Sequence, residues 1–161
     1  MPTIHNNENW LTILIGVLLI LEGTKKLVRW TQFIVPLPFF GVLVDSTTQM
    51  ILNVTGGILF VLAGYMILKL KQTGLFLGIG LTIGTIASSI ISWSLWDQII
   101  PQMVEARRNL QGISVREGEV EFMQSLFPEM FLIFGVIFLI AMLLSIKRFK
   151  MATQPAIQPD R

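Results

Sequence analysis

Long apolar runs separated by short polar segments dominate the chain. Residues 49–68, 74–96 and 130–146 contain no charged side chain, and a shorter run, 11–21, leads directly into Glu22. A helix needs about 20 mostly apolar residues to cross a bilayer, a length that these runs approach or exceed. The pattern predicts an all-α polytopic membrane protein with four transmembrane helices in a compact bundle. The predicted spans are 9–29, 47–70, 74–96 and 128–147, within a single domain of residues 1–150.

Residues 30–44 form an apolar segment that is too short for a comfortable crossing. Its 15 residues would reach only about 22 Å as a helix, against a hydrocarbon core of about 30 Å. Pro36 and Pro38 also remove two backbone donors and disfavour a straight helix. The segment contains aromatic residues that suit the headgroup region, namely Trp30, Phe33, Phe39 and Phe40. We expect an interfacial or re-entrant segment here.

The polar region 97–127 divides at Gly112 into two amphipathic pieces. In the first, apolar residues recur at helical spacing: Ile99, Ile100, Met103, Val104 and Leu110. In the second, Val115, Phe122, Met123 and Leu126 oppose three glutamates. Such patterns are typical of helices that lie on a membrane or on a bundle. We therefore predict an extracytoplasmic amphipathic helical loop, a last helix beginning near Pro128, and a disordered cytoplasmic tail at 151–161.

The distribution of basic residues bears on topology, because cytoplasmic loops are enriched in Lys and Arg. Four crossings with both termini inside place six of the 12 basic residues on each side. A fifth crossing through 30–44 would place nine inside and three outside. Helix length and the prolines favour four. Both models put the 72–74 turn and the C-terminus in the cytoplasm and 97–127 outside.

Composition excludes several kinds of chemistry. The chain is 53% hydrophobic and only 14% charged, whereas soluble domains have about 25% charged residues. It has no cysteine, and its single histidine, His5, precedes the first apolar run. Disulfides, thiolate metal sites and bis-histidine haem are therefore excluded. We predict no catalytic, cofactor-binding or metal-binding residue. A net charge of +2 gives no reason to expect a nucleic-acid partner.

Small residues recur on one side of each predicted helix. The third helix carries a ladder with a spacing of four, namely Gly80, Gly84, Ser88 and Ser92. The first helix offers Gly16 and Gly23, and the second offers Asn53, Gly57 and Gly64. In lipid, small residues let helix backbones approach and gain van der Waals contact. We predict tight packing within the bundle; homodimerisation or docking to a larger membrane complex is the alternative.

Two polar residues in the predicted spans are candidates for a functional role. Glu22 lies four residues before Lys26, so the two share a helix face. They form either an interfacial ion cluster at a helix end or a functional carboxylate. Asn53 is the most polar residue deep in the second helix. It is expected to hydrogen-bond to a neighbouring helix, and ligand contact is the alternative.

The segments GVLLILEGTKKL and LNVTGGILFVLAGYMILKLKQTGLFLGIGLTIG carry a resemblance to a known group. Over residues 11–90 the chain resembles the DoxX-like small four-helix bacterial membrane proteins. That group includes a membrane subunit of a thiosulfate:quinone oxidoreductase, and the resemblance implies the fold but no active-site residues. The 97–127 region departs from the compact loop usual in the group.

The expected function rests on the helix-packing motifs and on the lack of a catalytic motif in the sequence. We predict a multi-pass protein of a prokaryotic plasma membrane that acts as a non-enzymatic accessory, scaffold or assembly subunit. Its partners are the lipid bilayer and a second copy or a larger membrane complex. One alternative is a quinone-linked redox subunit, with Glu22 or Asn53 beside an apolar cleft. The other is a small transporter or sensor whose outer element is 97–127.

Overall fold

A computed structural model describes residues 6–28 and 35–153 and shows a helical protein with one β-hairpin in that part of the chain. The elements are α1 (Asn6–Val28), β1 (Leu37–Phe39), β2 (Val42–Val44), α2 (Ser46–Leu68), α3 (Gln72–Ile91), α4 (Trp93–Gln111) and α5 (Glu119–Thr153). Within the described residues, three helical stretches are long and apolar enough to cross a membrane: Ser46–Leu68, Gln72–Ile91 and Glu119–Ile146. Residues 154–161 of the predicted tail lie outside this part.

The four long helices α1, α2, α3 and α5 pack as a bundle in which neighbours run antiparallel. Helices α2 and α3 are joined by a tight turn at 69–71, where Lys71 N–H donates to the Met66 carbonyl at 2.9 Å. A side chain at Gly74 would overlap the Cβ of Met66, so glycine permits this close return. We call this side of the bundle the turn end and the opposite side, which carries the β-hairpin, the hairpin end.

The buried apolar core lies toward the turn end. It draws on the second half of α2, the start of α3 and the second half of α5, with Ile15 and Leu19 from α1. Its other members are Phe60, Ala63, Ile67, Leu75, Met142 and Phe149. The bundle is therefore tightly closed at one end, and the packing between α1 and α5 is sparse elsewhere.

The apolar segment after α1 contains the β-hairpin, which the sequence did not predict. Strands β1 and β2 pair antiparallel, with Phe39 opposite Val42. Phe40 (φ 47°) and Gly41 (φ 79°) form the two-residue turn, and two positive φ values are the signature of a type I′ turn. Pro38 is tolerated because a two-stranded sheet has only edge strands. Of the predicted segment 30–44, residues 30–34 lie outside the described part.

The polar region is organised differently from the prediction at both of its ends. Helix α3 ends at Ile91, and α4 already begins at Trp93, so the predicted third span divides near Ser92. Gly112 ends α4 in the left-handed conformation at φ 67°, as a C-terminal glycine commonly does. The predicted start of the last helix near Pro128 is wrong: α5 begins at Glu119 and contains Pro128 in its interior.

Helix α4 is the amphipathic element that the sequence predicts before Gly112. Ile99, Ile100 and Val104 are buried against the rest of the protein. Leu110, expected on the same face, is instead 72% exposed. Arg108 turns toward α5 and forms an ion pair with Glu119. The apolar face of α4 therefore rests on the bundle.

Candidate functional site

Helices α1 and α2 are in backbone contact at two pairs of glycines. A Cβ at Gly64 would lie 2.5 Å from the Gly16 carbonyl oxygen, and a Cβ at Gly23 would lie 2.6 Å from the Gly57 carbonyl oxygen. Real Cβ atoms do not approach oxygen this closely, so only glycine fits at these crossings. Both pairs are seven residues apart, which is two helical turns, so the contacts recur on one face of each helix.

These glycine contacts fix where the charged residues of α1 lie along the length of α2. Gly23 contacts Gly57, the central residue of the 23-residue helix Ser46–Leu68. Glu22, Lys25 and Lys26 adjoin Gly23 and therefore lie level with the middle of α2. The sequence had favoured an ion cluster at a helix end, because the apolar run of α1 stops at Leu21. In the bundle, the end of this apolar run lies halfway along the neighbouring helix α2.

The three charged side chains form a loose cluster. Glu22 Oε2 lies 3.4 Å from Lys25 Nζ, and Glu22 Oε1 lies 3.8 Å from Lys26 Nζ. Lys26 Nζ is also 5.6 Å from the centroid of the Phe60 ring, a distance at which a cation is attracted to the ring face. Its side chain is only 26% exposed, against 53% for Lys25. One carboxylate is thus shared between two ammonium groups.

The cluster opens on a cleft of about 660 Å³ between α1 and α5. One wall is formed by α5, from Met123 to Phe138, and it is almost wholly apolar. Helix α3 contributes Thr82, Thr85 and Ile86, and α2 contributes Phe60. Aromatic rings and thioethers dominate the lining: Phe60, Phe127, Phe131, Phe134, Phe138, Met123 and Met130. The site therefore joins a charged patch to a long apolar surface.

Helices α1 and α5 come together on α3 at Gly78, toward the turn end. There, Leu19 of α1 and Met142 of α5 approach the same position on α3, at 3.2 and 3.3 Å from a Cβ placed on Gly78. Over its whole length, α5 packs more extensively on α3 and α4 than on α1. The two helices therefore diverge, and the space between them remains open.

The start of α5 is held away from α1 by contacts to α4. The Arg108 guanidinium donates to Glu119 through Nε at 2.9 Å and through Nη2 at 2.7 Å. Gln124 Nε2 donates to the Asp97 carbonyl oxygen at 2.9 Å. The rings of Trp96 and Phe127 also meet edge to face, 5.6 Å apart. Helix α4 thus fixes the wall of the cleft at its hairpin end.

The remaining candidate residues lie outside the cleft and have separate roles. Asn53 Nδ2 donates to the Gln49 carbonyl oxygen of its own helix at 2.9 Å, whereas the sequence predicts a hydrogen bond from Asn53 to a neighbouring helix. Ser88 Oγ and Ser92 Oγ accept hydrogen bonds from the turn amides of Phe40 and Gly41, at 3.0 and 2.9 Å. These serines of the α3 ladder hold the β-hairpin.

The other half of the α3 ladder is open. A Cβ placed on Gly80 or Gly84 would meet nothing within 4 Å in the described parts of the chain. The ladder predicted as one packing motif therefore divides into a hairpin-binding half and an unoccupied half. By contrast, all four glycines that the sequence proposed on α1 and α2 come together in pairs.

Sequence reasoning named Glu22 and, for the quinone-linked alternative, an apolar cleft beside it, but it named none of the α5 residues that line the cleft. Nothing in a single apolar run distinguishes a lipid-facing side from a cleft wall. Among the described residues, no group of three His, Cys, Asp or Glu side chains is arranged to hold a metal ion. Comparisons with protein-family models, with curated proteins and with solved structures find no match.

Proposed function

We propose that the protein is a four-crossing membrane protein that binds the polar head of a lipid-soluble molecule in the cleft between α1 and α5. Its role is that of a non-enzymatic accessory subunit. One observation carries the proposal: the contact of Gly23 with Gly57 puts Glu22, Lys25 and Lys26 halfway along α2, beside an aromatic-lined cleft. Placement in a prokaryotic plasma membrane with a cytoplasmic C-terminus remains a prediction.

The packing of α1 supports a fourth crossing. Its side facing away from the bundle is apolar and exposed, which suits contact with lipid: Ile13, Leu14, Val17 and Leu21. Its antiparallel contact with α2 directs the C-terminal end of α1 and the N-terminal end of α2 toward the hairpin end of the bundle. A re-entrant or interfacial segment fits that arrangement, whereas a fifth crossing would require α1 and α2 to be parallel.

If α2 and α3 cross the bilayer, the position of the α1 charges halfway along α2 points to a function. Glu22, Lys25 and Lys26 then lie near the membrane midplane, where an unsolvated charge is costly. Ionisable residues at such a depth face a bundle interior or a water-filled cavity, and they mark ligand or ion pathways. A cleft with polar groups at one place and a long apolar wall suits an amphiphilic ligand.

A quinone-linked redox subunit is the second candidate, and it is favoured by the position of Glu22. A carboxylate beside an apolar cleft is the arrangement expected for that alternative, which the DoxX-like resemblance implies. A quinone head is neutral and accepts hydrogen bonds, so Lys25, Lys26 and the threonines would bind it as donors. A quinone analogue that fails to shift the thermal melt of the purified protein would remove this candidate.

Photo-crosslinking tests the cleft directly. An alkyl probe carrying a diazirine, added to the protein in mild detergent, is expected to label α5 between Met123 and Phe138. Met130→Trp fills the cleft and should abolish this labelling. Ile133→Trp is the matched control, because Ile133 lies on the same helix, is 53% exposed and does not line the cleft. Equal labelling of both variants would refute the proposed site.

Cysteine labelling tests the topology, and the absence of native cysteine makes single sites clean. With four crossings, cysteines at Ser46 and Ser114 react with an impermeant maleimide from the same side. A cysteine at Thr73, in the first turn of α3 at the turn end, reacts from the other side. Reaction of Ser46 and Ser114 from opposite sides would contradict the α2–α3 pair of crossings, which the four- and five-crossing models share. A cysteine at Thr3, before α1, separates the two models, because with four crossings it reacts from the side of Thr73; reaction from the side of Ser46 would contradict four crossings.

A further inference from the structure

The charges in the cleft do not balance. Two lysines face one glutamate, and among the described residues lining the cleft no other side chain is ionisable. The remaining lining residues of α2, α3 and α5 are apolar or carry hydroxyl groups. The cleft therefore carries one net positive charge against an apolar wall. A charge in such surroundings is expensive unless it is paired, so a partner with a single negative charge would complete the site.

The dimensions of the cleft indicate how much apolar ligand it takes. Its wall on α5 spans residues 123–138, which is about 22 Å at 1.5 Å per residue. Its volume of about 660 Å³ leaves room for an extended alkyl chain along that wall. The volume also falls within the range of about 300–1,000 Å³ found for small-ligand sites.

We propose that the ligand is an acidic amphiphile, with one acid group held by Lys25 and Lys26 and an alkyl chain lying along α5. This inference rests on the proposed function and adds the charge of the ligand. Lys26 is positioned by the Phe60 ring and by Glu22. Lys25 is more exposed and contributes the unbalanced charge. The chain passes Phe131 and Phe127 toward the hairpin end.

Equilibrium binding of matched amphiphiles to the full chain in mild detergent tests the inference. The probes are palmitate, hexadecyl phosphate and hexadecanol, which share one chain and differ in the head. A charged hydrogen bond distinguishes the acids from the alcohol, so we expect the acids to bind roughly tenfold or more tightly. A preference between palmitate and hexadecyl phosphate identifies which acid head the site accepts, and either result supports the proposal.

Charge variants give effects of opposite sign. Lys25→Gln removes the unbalanced charge and should weaken palmitate binding roughly tenfold while leaving hexadecanol unchanged. Glu22→Gln increases the net positive charge and should strengthen palmitate binding. Lys69→Gln is the matched control, because Lys69 lies at the turn end and contacts Tyr65 rather than the cleft. Lys25 and Lys69 are both exposed, so neither change should affect folding.

The outcomes distinguish a failure of the acidic ligand from a failure of the binding cleft itself. Equal affinity of palmitate and hexadecanol, both blocked by Met130→Trp, would overturn the acidic ligand and leave the binding cleft in place. Binding that Met130→Trp does not affect, or no binding of any probe, would overturn the proposed function together with this inference.

Discussion

Gly23 packs its backbone against the carbonyl oxygen of Gly57, at the middle of α2. This contact fixes the position of the neighbouring charged residues along the bundle axis. A Cβ at Gly57 would in turn lie 2.9 Å from the Gly23 carbonyl oxygen. The contact is thus reciprocal, and neither helix can slide without separating both glycine pairs. The charged cluster of α1 is held halfway along the bundle as a direct consequence.

The glycine contacts predict that alanine destabilises the protein at some glycine positions and not at others. Gly64→Ala places a methyl group 2.5 Å from the Gly16 carbonyl oxygen and should force the helices apart. Overpacking of this kind costs about 1–3 kcal/mol, so the thermal midpoint in mild detergent should fall. The same measurement on Gly23→Ala should give a similar loss.

Gly80→Ala is the control for those variants. Gly80 lies in α3, and a Cβ there meets nothing within 4 Å in the described residues. Alanine is also favoured over glycine in a helix by about 0.5–1 kcal/mol. The midpoint should therefore stay constant or rise. A loss as large as that of Gly64→Ala would mean that the open half of the α3 ladder packs against another chain in solution.

The sequence predicted α1 and α2 and the small-residue faces on which they pack, because both follow from local spacing. Apolar length identifies α2 and α3, and a repeat of small residues identifies a helix face. The position of Glu22 along the bundle axis could not be predicted, since it depends on which glycine of α2 faces Gly23. The β-hairpin was missed because its turn, Phe40-Gly41, has no strong turn residue at the first position and its support comes from α3, 48 residues away.

The β-hairpin is expected to depend on Ser92. Its Oγ accepts the Gly41 amide at 2.9 Å, and the residue is only 1% exposed. Ser92→Ala leaves that amide without its acceptor, at a cost of about 1 kcal/mol. Hydrogen exchange at Gly41 should then become faster. Ser94→Ala, at an exposed position of α4, should leave the exchange unchanged; equal acceleration in both variants would argue against the contact.

The start of α2 should show a dependence on pH through Asp45. Hydrogen bonds from Thr48, to its carboxylate, lower the pKa of Asp45 below its ordinary value. A lowered pKa in the folded state means that the charged form is stabilising. This contribution is complete above the ordinary pKa and is lost as the pH falls through the folded value.

Asp45→Asn separates that contribution from other effects of acid. Asparagine caps a helix about as well as aspartate but does not titrate. The difference in thermal midpoint between the two proteins should be constant near neutral pH and change only in the acidic range. A difference that remains constant to low pH would show that the Asp45 carboxylate does not cap α2 in its charged form.

Gln49 predicts a substitution that stabilises the protein. The residue is 3% exposed in the first turn of α2, and neither its Nε2 nor its Oε1 has a hydrogen-bond partner in the structure described. An unpaired buried amide costs about 1–3 kcal/mol. Leucine is close to glutamine in length and carries no polar atom. Gln49→Leu should therefore raise the thermal midpoint in mild detergent, whereas Gln98→Leu, at an exposed position of α4, should leave it nearly unchanged. A lower midpoint for Gln49→Leu would show that the amide is paired in the membrane-embedded protein, by water or by lipid.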